Sequence, residues 1–165
     1  MNQPLATYLH DHLAGANFAV ELLETLEAAH AGQPVGAFAS DLRLEIEKDR
    51  QVLMKITDRV GKTGLDAKQA TAWLAEKVSQ FKLRHPDPAD LGTFEALEAL
   101  AVGIHGKLAL WRALQLVATV DSRVEGVDYD ELVGRAQKQH DQVDEWRLAL
   151  ARTTFGVPPG DHGSS

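Results

Sequence analysis

The 165-residue chain has no cysteine. That removes disulfides, thiolate zinc sites, iron–sulfur clusters and cysteine nucleophiles together. It has no run of about 18 uncharged apolar residues, so nothing in it reads as a membrane span. Basic residues are the minority: 17 Lys and Arg against 24 Asp and Glu give a net charge of −7. Duplex nucleic acid and anionic membrane both call for a basic footprint, and neither is expected as a partner. The opening Met1-Asn2-Gln3-Pro4 lacks the charged and apolar regions of a signal peptide, so a cytoplasmic location is expected. No run alternates apolar and polar residues as a strand would. No glycine-rich loop follows a strand to cradle phosphate, and there is no Gly-x-Ser-x-Gly elbow.

What remains is an ordinary globular composition, 44% hydrophobic and 25% charged. Gly32-Gln33-Pro34, the stretch from Gly61 to Gly64, His85-Pro86-Asp87-Pro88 and Gly126 break the chain. Five segments with helical periodicity lie between these breaks. They run from about Pro4 to His30, Phe38 to Val60, Asp66 to Leu83, Asp90 to Val120 and Tyr129 to Thr154. One helical domain over 1–156 is expected, with an extended or mobile tail over 157–165.

Apolar stripes mark the first, second and fifth segments: Leu5, Leu9, Ala16, Val20, Leu23; Leu42, Ile46, Leu53, Ile56; Leu132, Ala136, Val143, Trp146. The fourth is apolar on nearly every side from Leu97 to Val120. Such a helix is either central or in contact with a second subunit. Helices of roughly 23 to 31 residues span about 35–45 Å and suit an antiparallel bundle of two hairpins. The shorter third segment then connects the hairpins.

Polar residues interrupt these stripes. His12 falls between Leu9 and Ala16, and Asp49 lies at the centre of the second stripe with Glu45 close by. Glu98, His105 and Arg112 repeat by seven in the fourth segment, as do His140 and Arg147 in the fifth. Buried charge without a partner is costly. These groups are therefore expected to meet each other, water or a ligand. One reading is a structural core network in which Arg112 and Arg147 neutralise Asp49 and Glu98. The other is a core site for a metal or small ligand built from His12, Glu45, Asp49, Glu98 and His140.

Two long helical hairpins resemble the ferritin-like superfamily, over most of the chain up to about residue 154. The stretches Glu98-Ala99-Leu100 and Gly106-Lys107-Leu108-Ala109-Leu110-Trp111-Arg112 resemble its uncharacterised bacterial members. The resemblance implies a ferritin-like bundle. In its metal-binding members, two helices each give a Glu and two others each give Glu-x-x-His. Here Glu45-Ile46-Glu47-Lys48 has lysine in the histidine's place, and Gln137-Lys138-Gln139-His140 has glutamine in the acid's place. The one complete motif is Glu27-Ala28-Ala29-His30, at a helix end. The degenerate pattern carries no oxidase chemistry, and neither a cofactor nor catalytic residues are expected.

Two functions follow. The first is a non-enzymatic helical bundle that self-associates, as a homodimer or higher homo-oligomer, or binds a protein partner. The alternative is a divergent ferritin-like protein that holds a metal or small ligand in its core.

Overall fold

The structure is a computed structural model that describes residues 3–61, 72, 76–81 and 89–160. Every regular element among the described residues is helical. Four long helices are α1 (Gln3–Ala29), α2 (Pro34–Val60), α3 (Leu91–Val117) and α4 (Tyr129–Thr154). A single 3-10 turn, Ser122–Val124, precedes α4. Among the described residues no helix is long and apolar enough to cross a membrane.

Local chemistry sets these boundaries. Pro34 opens α2, where a backbone N–H would have no intrahelical acceptor. The Asp128 carboxylate accepts from the Glu131 amide at 3.0 Å and caps α4. Asp130 and Glu131 place negative charge in the first turn, where the helix dipole favours it. Of the expected third helix, Ala72 and residues 76–79 are helical, and the rest lies outside the described residues. Val78 and Phe81 pack on the core, with the Phe81 ring 6.2 Å from that of Phe18.

Side-chain pairs give the helix directions. Arg43 meets Glu27 and Arg50 meets Asn17, so α1 and α2 are antiparallel. Gln115 meets Asp130 and Arg147 meets Glu98, so α3 and α4 are antiparallel too. His30, beside the start of α2, bonds Thr93 in the first turn of α3 at 2.9 Å. At the other end Arg59, late in α2, donates to the Glu125 carbonyl beyond α3. The helices α2 and α3 therefore run parallel. Gly61 and Leu91 consequently lie at opposite ends, about 40 Å apart along helices of 27 residues.

The core falls into two apolar clusters. Leu22, Leu26, Leu42, Leu97, Leu100 and Val143 belong to one. Leu9, Ile56, Trp111, Leu114, Leu132 and Ala136 belong to the other. Asp49, Lys107 and Gln139 fall between them in the sequence of each helix, so the middle of the molecule is a polar layer. The helix α3 is not apolar on every side: Glu95, Glu98, His105, Arg112 and Gln115 are exposed on it, with Val102 and Leu116 among them. Residues 157–160 are exposed, and 161–165 lie outside the described residues.

At the α1–α2 corner Gly36 sits close against the backbone. A Cβ on Gly36 would sit 2.2 Å from the backbone carbonyl oxygen of His30. That oxygen also accepts from the Gln33 amide. Backbone cannot swing aside as a side-chain tip can. Gly36→Ala should therefore cost about 1–3 kcal/mol, the usual range for overpacking, in a urea unfolding experiment. An unchanged midpoint would show that the corner opens freely.

Candidate functional site

The polar layer is built from three helices. Asp49 of α2 is 1% exposed. Its Oδ2 accepts from Lys107 Nζ at 2.6 Å and from Gln139 Nε2 at 3.3 Å. Its Oδ1 lies 3.1 Å from Arg135 Nη1. Gln139, fully buried on α4, also donates to Glu45 Oε2 at 3.1 Å and accepts from Lys107 through Oε1. Two carboxylates, Asp49 and Glu45, thus face two cations, Lys107 and Arg135. The charges cancel, which leaves no excess of negative charge to hold a divalent ion. Burial pulls the Lys107 ammonium below the usual lysine range, and the Asp49 carboxylate opposes this only in part.

The expected partners of Asp49 are corrected by this geometry. Arg112 is exposed and does not enter the core. Glu98 is exposed and meets Arg147 at 3.2 Å on the surface, where Arg147 also holds Asp144 at 2.8 Å. Neither pair reaches Asp49. The cause lies in α3, where Val102, Gly103, Ala109 and Leu116 also lie on the outer side and blur its inward direction on a helical wheel. Lys107 occupies the inward position instead, in the series Leu100, Ile104, Lys107, Trp111, Leu114.

The candidate metal ligands are dispersed. His140 is half-buried against His105, with ring centroids 5.8 Å apart, at the α3–α4 surface. Glu45 joins Asp49 only through Gln139, and His12 stands on α1 against Tyr8, ring to ring at 4.6 Å. Among the described residues, no three His, Asp or Glu side chains gather where a metal ion could be held. The Glu27–His30 pair is likewise divided, Glu27 going to Arg43 and His30 to Thr93.

Beside the polar layer lies a cavity of about 190 Å³ between α1, α2 and α3. Its apolar wall includes Ala16, Ala19, Leu53, Leu100 and Ile104, and its polar members are His12, Asp49, Arg50, Lys107 and Trp111. It exists because α1 presents Gly15, Ala16 and Ala19 at the level where α2 and α3 present charged side chains. Small residues leave the gap that a leucine would fill. An apolar chamber with a few converging polar groups is the usual form of a small-molecule site.

His12 reports on this chamber. Burial lowers its pKa, with Asp11 opposing, so the imidazole is neutral at pH 7. The unfolded chain takes up the proton first as pH falls below about 6.5, and stability falls with it. Between pH 7.5 and 5.5 the urea midpoint should drop more in wild type than in His12→Phe. Equal drops would place His12 in water. No protein-family model, curated protein or solved structure matches the chain.

Proposed function

We propose that the chain is a ferritin-like helical protein that binds a small apolar molecule in its mid-bundle cavity. The observation that carries this reading is the chamber of about 190 Å³ bordered by the Asp49–Lys107 pair. An engineered cavity of about 150 Å³ accepts benzene, so a single-ring molecule fits. The ferritin-like part is supported by the parallel course of α2 and α3. Two antiparallel hairpins joined by one long crossover is the connectivity of that superfamily. Lys107 and Arg135, which neutralise the core carboxylates, speak against a metal as the ligand.

Thermal melting with toluene, and separately with Fe²⁺ or Mn²⁺, tests the reading. At ten times its dissociation constant, toluene should add about 1.4 kcal/mol, or roughly 3–6 °C for a chain of this size. Either metal should shift the transition little. A flat response to toluene with a large metal-induced rise would overturn the reading and favour a di-metal site.

A second reading is self-association through α3, supported by Val102 and Leu116, 69% and 72% exposed and about four turns apart on the same face of the helix. Light scattering at micromolar concentration decides it. A species at 18.0 kDa, the mass of one chain, would remove it.

A further inference from the structure

Two histidines meet on the outer side of the α3–α4 seam, away from the chamber. His105 is exposed on α3, and His140 is half-buried on α4. Their ring centres lie 5.8 Å apart, with the planes at 59°. The core holds the two helices in register at this level. Lys107, two residues beyond His105, bonds Gln139, the residue before His140. Ile104, Leu108, Ala136 and Val143 are buried beside them. A packed backbone therefore brings the rings together, and a ligand that needs both finds them already placed.

Neither ring spends a nitrogen on a hydrogen bond among the described residues. His105 makes only the ring contact, and His140 Nδ1 lies 3.7 Å from Asp141 Oδ1, too far for a bond. Positive charge nearby is engaged: Arg147 is held by Glu98 and Asp144, and Lys107 turns inward to Asp49. Arg112 stands two turns along α3 from His105, about 10 Å away along the axis. Imidazole suits Zn²⁺, Ni²⁺ and Cu²⁺, and two rings that share one ion at about 2.0–2.1 Å have centres roughly 5–6 Å apart. The separation of His105 and His140 lies within that span.

We infer that His105 and His140 form a surface site for one imidazole-seeking transition-metal ion, Zn²⁺, Ni²⁺ or Cu²⁺, which clamps α3 to α4. The protein gives two ligands, and water completes the shell on the exposed side. A ligating histidine usually turns its other nitrogen to a carboxylate. Asp141 stands beside Nδ1 of His140 for that role, which leaves Nε2 for the ion. With no carboxylate among its direct ligands, the site discriminates against Mn²⁺, which prefers oxygen and is the weakest of the series.

Titration calorimetry of the untagged protein with Zn²⁺, Cu²⁺ and Mn²⁺ tests this. Wild type should bind one equivalent of Zn²⁺, with Cu²⁺ tighter and Mn²⁺ weakest. His105→Ala and His140→Ala should each weaken Zn²⁺ by roughly tenfold or more, since loss of a ligand costs at least what loss of a supporting group does. The double variant should be little worse than either single one, because chelation is lost at the first substitution. His10→Ala should change nothing. Both seam histidines have solvent-exposed side chains, so neither substitution opens the core. No Zn²⁺ binding, equal losses in His10→Ala, Mn²⁺ binding as well as Zn²⁺, or two independent equivalents that disappear one per variant would each overturn the inference. None of these outcomes bears on the chamber, which lies between other helices.

Discussion

Asp49→Ala should lower the stability of the protein by about 3–5 kcal/mol, the usual cost of removing one member of a buried ion pair. Asp49 is 1% exposed, so solvent screens little of its interaction. Without it, Lys107 keeps only the Gln139 oxygen, and Arg135 is left with Glu131 at the surface. The two cations then face each other across the layer with only Glu45, held through Gln139, to offset them. Asp49→Asn should be milder, because an amide oxygen still accepts from Lys107. The double variant Asp49→Leu with Lys107→Met should recover much of the loss, since apolar replacement of a whole buried pair is often neutral. Urea unfolding of the four proteins measures this. A mild loss in Asp49→Ala would show that the core does not depend on the ion pair. It would also return Asp49 to the set of candidate metal ligands, where clustered acids repel in the empty site.

Trp111→Ala should be comparably damaging, about 3–5 kcal/mol by the usual range for a large aromatic truncated in a core. The side chain is fully buried, and its ring lies 6.4 Å from that of Tyr129, whose hydroxyl donates to the Val124 carbonyl. Truncation opens a hole beside a cavity that already exists, so little can collapse into it. In a thermal melt the loss corresponds to roughly 6–20 °C for a chain of this size. Trp146 gives the contrast. It is half-buried, stacked on Phe38 at 5.3 Å, and its truncation should cost clearly less. A loss under about 1 kcal/mol in Trp111→Ala would mean that the helices close over the gap. The chamber next to it would then be no fixed feature of the bundle.

The helices were legible because their breaks are chemical. α4 begins and ends where the periodicity places it, whereas α2 begins at Pro34, about one turn before the expected Phe38. Asp49 was legible for the same kind of reason: the stripe of α2 is narrow, so its inward direction is defined. Lys107 was not, because Val102, Ala109 and Leu116 on the outer side of α3 blur its inward direction. Glu98, His105 and Arg112 share a spacing of seven and drew attention, yet that row faces solvent. Gln139 carried a usable signal. With Leu132, Ala136 and Val143 it completes the buried stripe of α4, and a polar residue in such a stripe marks a partner across the core. The cavity left no such trace. It arises from small residues on α1 and charged ones on α2 and α3, which are distant in sequence and meet only after the helices pack.

The most direct measurement is a crystal of the protein under xenon pressure, because xenon enters apolar chambers of this size without needing the natural ligand. Xenon should occupy the space between α1, α2 and α3, in contact with Ala16 and Trp111, leaving the Asp49–Lys107 pair in place. Helices packed to native density at that level, with no xenon between them, would contradict the assignment of the mid-bundle chamber as a small-molecule site.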